Sequence, residues 1–279
     1  MDPEELRVRE ETLRKLRANP EAYLAEYTSK FGNVLNADDA ATLFDEYNQD
    51  RAKYRVAVHT AATWIRDELF RRALAETAPE GRNRVVFTAG GNAAGKSTAI
   101  SFTKDGSGAQ VIFDSTFSNP EHARGLLDRA LAADKRVTVL YVHRPLEDAF
   151  HGMLERAGRE GRVVSISQLI GSHRGAAETM RNLWRDFSKD TRIQLRFVAN
   201  SGAAPRLGSI ELAAARDYTE IEERLYELLN AEYRAGRITE AVFHRIRGRG
   251  DSGQPSGRRP IGEGSSGGPP QAGTPESLP

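Results

Sequence analysis

Leu6, Leu13, Leu16, Tyr23 and Leu24 recur at helical spacing across residues 3–27. A break is predicted at Asn19-Pro20, because proline removes a backbone donor and crowds the preceding turn. Asn33-Val34-Leu35-Asn36 follows Gly32 and reads as a short strand end. Residues 38–47 read as a helix. A longer helix is predicted over residues 51–77, with Val56, Ala57, Trp64, Ile65, Leu69, Phe70 and Leu74 on its apolar side. The pattern then changes period. Residues 84–88, 110–114, 136–142 and 193–199 are compact runs rich in β-branched and aromatic residues, the mark of strands buried on both faces. Helical segments at residues 120–133, 146–157 and 167–187 separate them, and two more close the fold at 219–234 and 239–247. Strands alternating with helices predict an α/β fold, a parallel sheet with helices on both faces.

Composition sharpens this outline at three points. From Gly248 the chain is mostly Gly, Pro and Ser, so residues 248–279 read as a disordered tail with nothing to bury. The organisation expected is an N-terminal helical segment (1–30), one domain (31–247) and that tail. The 279 residues carry 40 basic and 39 acidic side chains, a balance that gives no global pull toward nucleic acid or anionic lipid. There is no cysteine, which excludes disulfides, thiolate metal sites and a cysteine nucleophile. The start is polar and acidic, and no apolar run approaches a membrane span. A cytoplasmic protein that engages neither membrane nor nucleic acid is expected.

Only seven lysines occur, and one of them carries the chemistry. Gly90-Gly91-Asn92-Ala93-Ala94-Gly95-Lys96-Ser97 matches the phosphate-loop pattern G-x4-G-K-[ST], between a predicted strand and a helix beginning near Thr98. Glycines let the backbone curl so that successive N–H groups face phosphate oxygens, and the helix N-terminus adds positive potential. Lys96 is placed to bridge the β- and γ-phosphates, and the Ser97 hydroxyl to meet Mg²⁺. The expected cofactors are ATP or GTP with Mg²⁺. An acidic candidate is Asp114, which ends a buried strand at the edge where open α/β sheets bind ligands. It can hold Mg²⁺ through water, orient an acceptor hydroxyl, or simply cap the helix that follows Asn119-Pro120.

Four segments together resemble the zeta-toxin kinases, P-loop phosphotransferases often found in toxin–antitoxin systems. They are VVFTAGGNAAGKST from Val85, VIFDSTF from Val111, VTVLYVHRPLEDAFHGMLERAGREGRVV from Val137, and FVANSGAAP from Phe197. The resemblance implies a P-loop kinase-like fold and transfer of phosphate to a hydroxyl of a small metabolite, for which the family suggests a UDP-sugar such as UDP-N-acetylglucosamine. It implies Arg156 and Arg162 as lid arginines on the transferring phosphate, with Arg159 competing for the second role. Gly158 and Gly161 are expected to break the helix between them. It further implies Thr116 as an acceptor contact, Asn200 near the nucleotide base, and Glu68 as the helical glutamate that meets the acceptor. His59 fits a similarly placed histidine, although a buried structural role is the expectation. Trp64, Phe70 and Trp184 read as core. An antitoxin protein is the partner the resemblance suggests.

The sequence departs from the family in one respect. The family's acidic strand lies between the phosphate loop and the acidic-x-Thr element, and here only about a dozen residues separate Ser97 from Val111. The segment from Asn33 to Ala40, ahead of the phosphate-loop strand, resembles the absent piece. That makes Asp38 the catalytic aspartate by resemblance; the alternative is that Asp38 caps the helix after Asn36. A nucleotide-binding module without kinase activity, acting through protein interaction, is the other reading of so rearranged a chain.

Overall fold

The computed structural model describes residues 1–78, 81–161, 163–202 and 204–248. The tail expected beyond Gly248 and the lid candidate Arg162 lie outside the described residues. Two helices open the chain, α1 (Pro3–Ala18) and α2 (Pro20–Phe31), divided at Asn19-Pro20 as the proline requires. Asp2 and Glu5 form a reciprocal capping box at the start of α1. Strand β1 (Val34–Leu35) follows. The single helix expected over 38–47 is two short ones, α3 (Ala37–Ala41) and α4 (Asp45–Gln49), because Phe44 takes an extended conformation between them and is buried. Helix α5 (Arg51–Ala75) starts at an Asp50 cap.

The remaining elements alternate as the pattern predicts: β2 (Arg84–Ala89), α6 (Lys96–Thr103), β3 (Val111–Phe113), α7 (Pro120–Ala132), β4 (Arg136–His143), α8 (Leu146–Glu160), α9 (Ile166–Phe187) and β5 (Ile193–Ala199). A two-residue strand β6 (Arg206–Leu207), a 3-10 turn (Ile210–Ala213), α10 (Thr219–Arg234) and α11 (Glu240–Arg247) complete the described chain. The sheet order is β1-β3-β2-β4-β5-β6. The pairings from β1 through β5 are parallel, and β6 is antiparallel to β5. The parallel sheet expected from the sequence is thus present, extended at one edge by a short antiparallel strand. Both residues of β6 are exposed, so no burial pattern marked them.

One face of the sheet holds the main core. Val85, Phe87, Val111, Phe113, Val139 and Phe197 pack there with Ile65 and Phe70 of α5, Leu126 and Leu127 of α7, and Met180 and Leu183 of α9. The rings of Phe70, Phe87 and Phe113 meet at centroid distances of 5.0 to 5.8 Å. Leu16 of α1 and Leu24 and Tyr27 of α2 belong to this same core, so the opening helices are part of the domain's packing. The opposite face, with Leu140, Val142 and Val198, is covered by α6 through Ala99 and Ile100. Helices α8, α9, α10 and α11 share a second apolar cluster around Phe150, Ile166, Leu225 and Phe243. Trp184, expected in the core, is 41% exposed, with its ring in edge contact with Phe197.

The two-residue strand β1 positions part of the site, and Tyr27 holds it. The Tyr27 hydroxyl donates to the Val34 carbonyl at 2.8 Å and accepts from the Asn36 N–H at 2.7 Å. A fully buried phenol thus does for the outer edge of β1 what a neighbouring strand would do.

Candidate active site

Parallel strands bring their C-terminal ends to one edge, and the segments leaving β1, β2 and β3 contribute to one cleft of about 530 Å³. After β2 comes the phosphate loop, of which Asn92 to Thr98 line the cleft. After β3 come Asp114, Ser115 and Thr116, and after β1 come Asn36, Asp38 and Asp39. Helix α5 adds Arg51, Arg55, His59 and Arg66, and α8 adds Met153 and Arg156. The structure therefore brings Asp38, Lys96, Ser97, Asp114, Thr116 and Arg156 around a single space.

The loop's glycines answer to close approach. A Cβ on Gly90 would lie 2.5 Å from the Val142 carbonyl oxygen, and Gly90 and Gly95 both take positive φ, 137° and 84°. The Lys96 ammonium reaches back over the loop to 3.4 Å from the carbonyl oxygens of both Gly90 and Gly91. Ser97 and Thr98 are exposed at the start of α6. The Gly90 N–H donates to the Thr116 carbonyl at 3.0 Å, which ties the loop to the segment after β3.

Asp114 does not cap the helix of Asn119-Pro120; Asn119 does so itself, accepting from the His122 N–H. Its carboxylate instead accepts from the Thr88 hydroxyl and, at 2.6 Å, from the Asn36 amide. Asp38 is not a cap either. Asn36 caps α3, accepting from the Asp38 N–H at 2.7 Å, and leaves Asp38 in the first turn on the cleft wall. Asn36 is the residue the sequence reading missed: it caps the helix that carries one carboxylate and grips the other. An Asn two positions before Asp38, at the end of an apolar pair, was the available signal.

Several expectations change. Glu68 does not line the cleft. It is buried on another side of α5, where its carboxylate accepts from Arg71 and Arg72 at 2.7 to 2.8 Å, and Arg72 also holds Glu21 of α2. Those donors hold its pKa below the ordinary value, with the bond from Arg71 foremost. The helical period explains the miss, since Glu68 lies about 200° round the helix from the cleft-facing Arg66. His59, expected to be buried, is exposed at the cleft wall, where crowding by protein and then Arg55 and Arg66 lower its pKa. Gly158 does not break α8, which runs unbroken to Glu160 and ends with Gly161 at φ 67°; Arg156 and Arg159 both sit on that helix. Asn200 does not line the cleft; its amide donates to the Ala94 carbonyl at 2.8 Å, behind the loop.

Among the described residues five cations, Arg51, Arg55, Arg66, Lys96 and Arg156, line the cleft against three carboxylates, Asp38, Asp39 and Asp114. Arg66 also pairs with Asp67 at 2.7 Å and lies 4.6 Å from the centre of the Phe113 ring. An excess of arginine around a phosphate loop suits a polyanionic ligand.

Solved structures similar to this chain include AvrRxo1-ORF1:-ORF2 with ATP, at 14% identity and a TM-score of 0.44, covering 77% of this chain and 60% of that one. The native AvrRxo1-ORF1:-ORF2 complex is similar at 14% identity and a TM-score of 0.41, covering 80% of this chain and 73% of that one. The chain thus spans about three fifths of the length of the first of these. No curated protein matches it. The zeta toxin family matches residues 106–203, which include Asp114, Thr116, Arg156 and Asn200 and begin just past the phosphate loop. Over that segment the chain is similar to the zeta toxin family.

Proposed function

We propose that this protein is a nucleotide-dependent phosphotransferase acting on a hydroxyl of a small metabolite. The observation that carries the reading is the convergence of the phosphate loop, Asp38, Asp114 and Arg156 on one cleft. The N–H groups of the loop and Lys96 hold the β- and γ-phosphates of ATP or GTP. Ser97 and Asp114 offer hard oxygen donors that fit Mg²⁺, which takes few protein ligands and completes its shell with phosphate and water. Among the described residues no cluster of three or more His, Asp or Glu side chains could hold a metal by itself. When bound, the ion supplies charge neutralisation on the phosphate oxygens.

In the proposed reaction the acceptor hydroxyl gives its proton to Asp38 as its oxygen bonds to the γ-phosphorus. The bond from that phosphorus to the β-bridging oxygen breaks, and the nucleoside diphosphate leaves. Asp114, held in place by hydrogen bonds from Thr88 and Asn36, orients the acceptor side. Arg156 stabilises charge on the transferring group. Thr116 is half-buried on the cleft wall and contacts the acceptor. Arg51 and Arg55 give the acceptor side positive charge, which favours a phosphorylated acceptor; the resemblance to zeta toxins points to a UDP-sugar and to regulation by an antitoxin protein.

The test is a phosphorylation screen of a metabolite extract by mass spectrometry, with ATP and GTP in parallel and Lys96→Ala as control. A metabolite gaining one phosphate with wild-type protein alone is expected. Nucleotide binding with no phosphorylated product would favour the binding-module reading.

A further inference from the structure

The phosphate loop is held from behind by three side chains from three different elements, each donating to a consecutive carbonyl. His173 Nε2 on α9 is 3.0 Å from the Asn92 carbonyl oxygen. Arg144 Nη1, just past β4, donates to the Ala93 carbonyl at 3.0 Å. Asn200 Nδ2, just past β5, donates to the Ala94 carbonyl at 2.8 Å. We propose that His173, Arg144 and Asn200 form a carbonyl clamp of positioning residues, which presets the phosphate loop's N–H groups for anion binding before any nucleotide arrives. The inference rests on the reading of residues 90–98 as a nucleotide phosphate site.

The argument is covalent geometry. A trans peptide is planar, with its C=O and N–H pointing in opposite directions. The peptide bonds following Asn92, Ala93 and Ala94 each have the carbonyl fixed at the back, so the N–H groups of Ala93, Ala94 and Gly95 are turned away from the clamp. The Ala94 N–H closes a turn onto the Gly91 carbonyl at 3.2 Å. Those of Ala93 and Gly95 meet no protein acceptor among the described residues, and both residues line the cleft. An unmade backbone donor at a half-closed site is costly unless a ligand completes it.

Two glycines of the loop make room for two of the three clamp side chains. A Cβ on Gly91 would fall 1.9 Å from His173 Cδ2, and one on Gly95 would fall 2.1 Å from Asn200 Nδ2. Two glycines are therefore needed so that two clamp side chains can reach the carbonyls. Ser172, next to His173, accepts from the Asn92 N–H at 2.9 Å, so both backbone groups of Asn92 are committed to α9. His173 is 5% exposed, and desolvation lowers its pKa to about 4, so its ring is neutral near pH 7. Donation to the carbonyl then fixes the tautomer with hydrogen on Nε2.

The clamp is tested by titrating full-length protein with ATP and Mg²⁺ by calorimetry. Asn200→Ala and His173→Leu are each expected to weaken ATP binding by about fivefold to tenfold, the loss from one preorganising hydrogen bond. His173→Gln, whose amide nitrogen reaches the position of Nε2, is expected to restore affinity to within about threefold of wild type. Unchanged affinity in Asn200→Ala, which removes a half-buried side chain and threatens folding least, would overturn the proposal. So would equal losses in His173→Gln and His173→Leu with native circular dichroism. Lys96→Ala separates the two readings: if it and wild type bind ATP alike, the nucleotide reading fails. The clamp is then decided in nucleotide-free protein, where Asn200→Ala must move the Gly95 amide resonance and His173→Leu that of Ala93; unmoved resonances would refute it.

Discussion

Asn36 joins the two carboxylates of the site, and its two bonds can be removed separately. Its side-chain oxygen caps α3 at 2.7 Å, and its amide donates to Asp114 at 2.6 Å. Losing an asparagine cap costs about 1 kcal/mol. A hydrogen bond to a charged group contributes about 1.5–3 kcal/mol, and the low end applies here because both residues are only half-buried. Asn36→Ala loses both and should destabilise the protein by about 2.5 kcal/mol. Asn36→Ser keeps a good cap but cannot reach Asp114, so it should lose about 1.5 kcal/mol. The two variants should differ in stability by the cap alone while sharing one activity defect, because both free the Asp114 carboxylate from its tether to β1. Urea unfolding followed by circular dichroism measures the first difference, and phosphotransfer to the acceptor found in the extract screen measures the second. An Asn36→Ser protein as stable and as active as wild type would refute the assignment of Asn36 as the link between Asp38 and Asp114.

Four further outcomes are expected. Arg156→Ala should lower kcat by about a hundredfold with native circular dichroism, as for a charge acting on the transition state; a steady-state rate equal to wild type would remove it from the site. Asp38→Asn should lower kcat by a similar order while leaving ATP affinity within about twofold, because the proton acceptor does not touch the nucleotide; calorimetry beside the rate assay checks the split. Glu68→Gln should cost about 1–2 kcal/mol in urea unfolding and leave the rate unchanged, since it weakens only the pairs to Arg71 and Arg72. Acid should destabilise the fold between about pH 6.5 and 4. His143 and His173 both have pKa values lowered to about 4 by burial, so the unfolded chain binds more protons in that window and stability falls as pH falls. Melting temperatures across that range should show the fall, and His173→Gln should make it shallower.

The strands were legible as compact runs rich in β-branched and aromatic residues, even where a polar side chain interrupts them. Residues 193–199 were expected as a strand and β5 covers the same seven. Helix α10 likewise matches its expected span, because an amphipathic stripe is a local property of the chain. What depended on rotation about a helix or on contacts between distant segments was not legible. Glu68 and Arg66 are two residues apart, and only the packing of α5 on β3 decides which of them faces the cleft. Asn200 was placed near the nucleotide base by resemblance alone; its bond to the Ala94 carbonyl joins residues 106 positions apart, which no local pattern could mark. Trp184 looked like core because tryptophan usually is, yet the stripe of α9 that meets the sheet passes through Met180 and Leu183.

The sheet explains why segments far apart along the chain share one cleft. What the chemistry requires is adjacency of strand ends. Strand β1 pairs in parallel with β3, Val34 opposite Ile112 and Leu35 opposite Phe113, so the residues leaving β1 emerge beside Asp114. Strand β2 lies on the other side of β3 and delivers Lys96 to the same edge. The connection from β1 to β2 runs through α3, α4 and α5, and that long crossover places Arg51, Arg55, His59 and Arg66 over the cleft. A chain in which β1 instead led directly into β3 would bring the same two carboxylates together without that route for α5. The arginine wall is therefore a consequence of the order itself. In the proposed reaction these arginines face the acceptor, so they are expected to set acceptor selectivity. Exchanging Arg51 and Arg55 together for glutamine should raise KM for a phosphorylated acceptor at least tenfold while KM for ATP stays within about twofold, since two lost charge-assisted contacts outweigh one neutral bond. A parallel rise in both constants would mean that these arginines serve the nucleotide, and the acceptor would then have to be sought on another wall.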